Sequence, residues 1–154
     1  MDPEPSAAKR PDTVKDVVDE ARVLAKDFLT AHHAALAWID PETKAPGGSR
    51  IAFALTPDRT PLTLISALAP HFDAVRADPA CALLPGEPGA KAQFVGPQDP
   101  LRRALREQWL KDHPKAALYI YFTDFAFVLL RPQSALLNAG FARAYRLTPA
   151  DLTP

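Results

Sequence analysis

Residues 49–66, SRIAFALTPDRTPLTLIS, hold the reading on which the fold turns. Ile51, Phe53 and Leu55 alternate with Arg50, Ala52 and Ala54, the period of two that a half-buried strand requires. Pro57-Asp58-Arg59-Thr60 then supplies turn chemistry, since proline presets φ and aspartate bonds its own backbone. Leu62 to Ser66 follows as a second apolar run of strand length. Two strands joined so closely pair antiparallel, because a parallel connection needs a crossover of about a dozen residues or more.

The same texture extends outward. Upstream, Ala34 to Ile39 is a short apolar run, closed by Asp40-Pro41-Glu42-Thr43 and Pro46-Gly47-Gly48. Downstream, Pro70 to Ala77 reads as a short helix ended by Asp78-Pro79. Cys81 to Leu84 and Lys91 to Val95 read as strands on either side of a Pro85–Gly89 loop. Asp99 starts a helix from Pro100 to about Asp112, with Leu101, Leu105, Trp109 and Leu110 on its apolar side. Phe125 to Leu130 and Ala135 to Leu137 are late strands, and Thr148-Pro149-Ala150-Asp151 opens a last turn. Before all of these, Val14, Val17, Val18, Ala21, Leu24, Ala25 and Phe28 recur at helical spacing. With the capping-box-like Thr13 and Asp16 they predict a helix over Asp12 to Ala31. The expectation is an α+β domain over 12–154, a curled antiparallel meander with flanking helices, preceded by a flexible tail over 1–11.

Composition narrows the function. The chain has 154 residues, 47% of them hydrophobic, enough for one domain with its own core. Eighteen basic residues balance eighteen acidic ones, so no net field favours nucleic acid or an acidic membrane surface. A single cysteine, Cys81, excludes an internal disulfide and a cysteine-based zinc cluster. No run is apolar enough to span a bilayer, and Met1 to Pro11 has no apolar stretch of a signal peptide, so the expected location is the cytoplasm. Glycine-rich phosphate loops and nucleophile-elbow motifs are absent. His32 and His33 are neighbours and point to different sides of a strand or helix, so no metal site is expected from them. Cys81 reads as a buried, inert thiol.

One constellation stands out. Ser49 and Arg50 open a strand, Ser66 closes the next, and His71 follows at a helix start. Phosphate recognition draws on these parts: a guanidinium fork, hydroxyl donors and a helix N-terminus.

These residues also resemble a known family. Ser49-Arg50-Ile51-Ala52, Pro61-Leu62-Thr63-Leu64-Ile65-Ser66, Leu68-Ala69-Pro70-His71 and Ala77-Asp78-Pro79 resemble, in order and spacing, the FMN-binding split-barrel proteins related to pyridoxamine 5′-phosphate oxidase. Gly86-Glu87-Pro88-Gly89, His113 to Tyr119, Gly140 to Tyr145 and Leu147 to Leu152 extend the resemblance to the branch that includes the haem-utilisation proteins. The resemblance implies a six-stranded antiparallel split β-barrel and a homodimer with FMN at its interface. It carries Ser49, Arg50, Ser66 and His71 over as phosphate-binding residues, and it places Arg143, beside Gly140-Phe141, near the partner's flavin. There are departures. Phe72 and Ala74 stand where the family often has threonine and asparagine, and Ala80 where it favours arginine. About a dozen residues are missing between Gly89 and Lys91, so the strand after that loop is expected to be short. Two functions follow as expectations: an FMN-dependent oxidoreductase of unknown substrate, or a non-enzymatic dimeric binding protein on the same fold that has lost FMN.

Overall fold

The computed structural model describes residues 14–84, 88–139 and 143–153. The 1–11 tail, Thr13 and the Gly86-Glu87 and Gly140-Phe141 pairs lie outside these residues. In chain order the elements are α1 (Asp19–Phe28), β1 (His33–Ile39), β2 (Pro46–Ala52), β3 (Ala54–Leu55), β4 (Pro61–Ser66), α2 (Pro70–Ala77), β5 (Ala80–Leu84), β6 (Pro88–Val95), α3 (Leu101–Asp112), a 3₁₀ turn (Pro114–Leu118), β7 (Phe125–Asn138), β8 (Ala144–Leu147) and α4 (Pro149–Leu152). The mixed α and β architecture is as expected. None of the described helices is long and apolar enough to cross a membrane.

All the ladders between strands are antiparallel, in the order β2-β1-β5-β6-β7-β4-β3 with β8 on the other part of β7. The strand count differs from the six expected: the described residues form one sheet of eight strands, whose end strands β2 and β3 are consecutive in the chain across Phe53. Two features raise the count. β8 adds a short strand to the far end of β7. The strand read as continuous over Ser49 to Leu55 breaks at Phe53 into β2, paired with β1, and β3, paired with β4. Phe53 leaves the ladders: its N–H donates to His32 O at 2.9 Å, and its C=O accepts His113 Nε2 at 2.9 Å. Alternation fails there, because Phe53 and Ala54 are both buried, in different clusters.

Three apolar clusters result. The concave face of the sheet holds Leu36, Ile51, Phe53, Ile65, Leu83, Val128 and Leu130, closed by Phe72 and Val75 of α2. Under α3 and the 3₁₀ turn lie Leu62, Leu64, Leu105, Trp109, Ile120, Phe127 and Leu129. Under α1 and α4 lie Ala21, Ala25, Leu137, Tyr145, Leu147 and Leu152. Each large side chain fully buried is worth about 1.5–3 kcal/mol. α3 and the 3₁₀ turn thus cover the outer face of β4 and β7, and α1 and α4 cover β7 and β8. The outer face of β2, β1 and β5 is left bare: His33, Ala35, Ile39, Gly48, Arg50 and Leu84 are exposed.

Three boundaries differ from expectation. α1 begins at Asp19 rather than Asp12, because Lys15 bridges to Tyr145 and exchanges backbone bonds with Ala144 and Arg146. β6 has eight residues, so the strand after the shortened loop is not short. The two late strands are one, β7; Pro132 fits inside it at a register shift opposite Gly89 and Ala90, where the ladder is already interrupted.

Candidate functional site

The predicted residues divide between the two faces of β2. Ser49 and Ile51 point inward, and Arg50 points outward. On the inner side, α2 starts with Pro70, and its His71 meets Ser49: Nδ1 lies 3.1 Å from Ser49 Oγ. Ser49 Oγ also accepts the Trp38 Nε1–H at 3.1 Å. Burial holds the His71 imidazole below the ordinary histidine range, which favours the neutral ring in this pair. Trp38 pairs with Gly47 across the β1–β2 hairpin. A Cβ on Gly47 would lie 2.5 Å from the indole ring, so glycine is what lets Trp38 reach Ser49. Sequence reasoning missed Trp38 and Gly47, because their pairing appears only once the register is known. Replacing Gly47 by alanine is expected to cost about 1 kcal/mol or more through overpacking. Tryptophan fluorescence should shift with it; an unchanged spectrum and stability would contradict this contact.

On the outer side, Arg50 is exposed and makes no hydrogen bond or ion pair among the described residues. Ser66 closes β4 on the side of Leu64, which packs under α3. Its hydroxyl donates to Asp124 Oδ2 at 2.9 Å and accepts the Leu68 N–H at 3.1 Å. Arg143 is elsewhere. It pairs with Glu20 at 2.6 Å, tying the start of β8 to α1. Phe72 and Ala74 are buried, and Phe72 meets Phe94 edge-on at 5.3 Å, so those two departures build core.

The four residues are not gathered around one open seat in this structure. Ser49 and His71 are bonded to each other on the inner side. Ser66 is committed to a carboxylate, and Arg50 is left as the one free cationic group of the four. The broad clefts do not gather them either: one of about 640 Å³ is lined by Asp58, Arg59, Thr60 and Arg131, and another of about 410 Å³ runs between α3 and the Thr56–Asp58 turn. Cys81 is half-buried, and burial pushes its thiol up to about 11, which keeps it a protonated, unreactive group.

A second grouping forms at the end of β1. The His32 and His33 rings approach His113 edge-on at 5.7 and 6.2 Å, and His113 stacks on Trp109 at 4.4 Å. Among the described residues no three or more His, Cys, Asp or Glu side chains are arranged to hold a bare metal ion. His33 lies on the bare outer face, and its pKa is lowered first by desolvation, then by the Arg50 guanidinium and the two neighbouring imidazoles. It is therefore a neutral ring at neutral pH. Large apolar groups are exposed near the end of β4: Leu68 at 87%, Leu118 at 80%, Tyr121 at 67% and Phe122 at 56%. Arg106 lies over the Tyr121 ring at 4.6 Å.

No protein-family model matches the chain. Over 111 residues it is 32% identical to the non-canonical heme oxygenase HOZ, chloroplastic, of Arabidopsis thaliana; the match takes in 65% of this chain and 34% of that protein, so the chain spans about a third of its relative's length. One solved structure is 35% identical, with a TM-score of 0.79 over 91% of this chain and 99% of its own. A heme binding protein from Mycobacterium smegmatis has a TM-score of 0.73 at 22% identity, over 94% of this chain and 61% of its own. A protein of the pyridoxinephosphate oxidase family related to general stress protein 26, from Clostridium acetobutylicum, has a TM-score of 0.68 at 5% identity, over 88% and 99%. The last two likenesses are of fold.

Proposed function

The chain has the fold of the pyridoxamine 5′-phosphate oxidase-related proteins and stands among haem-binding neighbours within it; from that premise we propose that it is a dimeric haem-binding protein that does not hold FMN by its phosphate. The observation that carries this reading is the bare outer face of β2, β1 and β5, where a neutral His33 stands beside an unpaired Arg50. Haem can be held by a neutral imidazole on its iron, a flat apolar bed under its ring and a cation beside a carboxylate. His33, the small residues Ala35 and Gly48 with Ile39 and Leu84, and Arg50 supply one of each. When bound, haem would bring an iron centre; the chain's part is to seat it and screen it from water.

A second copy is the natural cover. The exposed Ile39 and Leu84 of the sheet face, and the exposed Leu68, Leu118, Tyr121 and Phe122, offer apolar surface for it to cover. The sequence match to a heme oxygenase supports the same direction.

Hemin titration tests the reading. A shifted Soret band is expected, with His33→Ala weakening binding by about tenfold or more. Light scattering should report a dimer. Failure of hemin to bind, or equal binding by His33→Ala, rejects it.

A further inference from the structure

We propose that the cleft between the β3–β4 turn, the middle of β7 and α4 is a binding site for a small organic monocarboxylate with an apolar body, its carboxylate held by Arg59 and Arg131. None of the residues lining this cleft belongs to β2, β1 or β5, so the site is separate from the haem face and its test uses no hemin.

The cleft offers about 640 Å³, the size of a small-molecule site and far more than a bare inorganic anion fills. Arg59 enters it from an unusual backbone. Its N–H closes a turn onto Thr56 O at 2.8 Å, and its φ is 63°, where glycine or asparagine is the ordinary choice. The guanidinium is only partly used. Nη2–H donates to Lys26 O at 3.1 Å. Nε is sealed from water with no acceptor, and Nη1 makes no bond among the described residues. Strain held at a residue with donors to spare points to a role beyond the turn itself. Arg131 lines the same cleft. Its Nη1–H donates to Thr60 Oγ1 at 3.2 Å and its Nε–H to Gln93 Oε1 at 3.0 Å. Both acceptors are neutral, so they fix the fork without meeting its charge. Asp58 is the one carboxylate among the lining residues. Its Oδ2 lies 3.9 Å from Arg131 Nη1, too far for a hydrogen bond, and its Oδ1 accepts the Thr56 hydroxyl and the Thr60 N–H. Two cations and one anion leave a single positive charge, which complements a monoanion better than a dianion. The planar fork of a guanidinium matches the two oxygens of a carboxylate. Pro132, Pro149 and Leu152 give the apolar wall for the rest of the molecule.

Benzoate and benzamide isolate the charge, since they share the ring and differ in the carboxylate. Both are titrated at neutral pH into the isotope-labelled protein and followed by NMR. Benzoate should bind in the millimolar range or tighter and move the amide signals of Arg59, Thr60, Arg131 and Thr153. It should bind about tenfold or more tighter than benzamide. Phenyl phosphate, largely a dianion at this pH, should bind no more tightly than benzoate. Arg131→Gln and Arg59→Gly should each weaken benzoate by about tenfold or more. Glycine suits the positive φ, so Arg59→Gly removes the cation while easing the turn. Thermal melting checks that each variant folds. The proposal is overturned if benzoate leaves those signals unmoved at millimolar concentration, if benzamide binds as tightly, if phenyl phosphate binds more tightly, or if the folded variants bind benzoate as the wild type does. The comparison of benzoate with benzamide needs no variant, so it decides even where a substitution prevents folding. Hemin binding is read separately and bears only on the other face.

Discussion

Replacing Phe53 by alanine is expected to lower the unfolding free energy by about 3–5 kcal/mol, read from the midpoint of a urea curve at constant slope. Phe53 has no exposed surface. Its ring fills the concave core where the sheet passes from β2 to β3, with Leu36, Ile51, Ile65 and Val128 in the same cluster. A cavity there cannot collapse easily, because the backbone on either side is tied to different ladders. Its own N–H and C=O are held by His32 and His113, not by a neighbouring strand. Small domains are stable by only about 5–15 kcal/mol, so this one change should consume a large part of the total. The exposed Leu68 gives the control: Leu68→Ser should stay within about 0.5 kcal/mol of the wild type. A loss below 1 kcal/mol for Phe53→Ala would mean that the junction is not closed as described.

The second large effect belongs to Asp151. It completes a capping box at α4, accepting the Thr148 N–H and hydroxyl at 2.7 Å each. It also accepts Arg22 Nε–H at 2.6 Å, which fastens α1 to α4. These bonds hold its carboxyl down to about 2, first through the Thr148 backbone and then through Arg22. Asp151→Ala should cost about 2 kcal/mol, the sum of a lost cap and a half-exposed ion pair. The folded pKa is below the ordinary value of 3.8, so this stability is present above about pH 4. It drains away as the pH falls from there toward 2. His71 acts earlier. Its lowered pKa means that the unfolded chain takes up a proton first as the pH drops below 6.5. Urea midpoints measured from pH 7 to 2 should fall in two stages, and Asp151→Ala should flatten the lower one. A single transition unaffected by that substitution would contradict the assignment.

Much of the scaffold is legible in local chemistry. Pro70 at the first turn and Asp78-Pro79 beyond the end bound α2 at the residues expected. The Asp40 turn and the Pro57–Thr60 turn fall where their residues demand; Asp40 Oδ1 accepts two backbone N–H groups, and Arg59 adopts a positive φ of 63°. What escapes is set by distant partners. Val14, Val17 and Val18 suit a helix stripe as well as an extended segment, and pairing with β8 decides between them. The candidate site shows the same limit. Ser49 and His71 do meet, 22 residues apart. Period-two alternation already puts Arg50 on the other side of β2 from Ser49. Nothing local announces that Ser66 would be bonded to Asp124, 58 residues on, or that His113 would close on His32 and His33.

β7 has a consequence for the order in which the chain is built. β1–β2 and β3–β4 are hairpins of near neighbours and can pair as soon as they leave the ribosome. β4 and β6 both wait for β7, which is made long after them. Until residue 138 has emerged, the edges of β4 and β6 and the apolar face of Leu62 and Leu64 have no cover. Folding of the sheet is therefore postponed until β7 is made, and the half-made sheet is the form most exposed to mispairing and to chaperone capture.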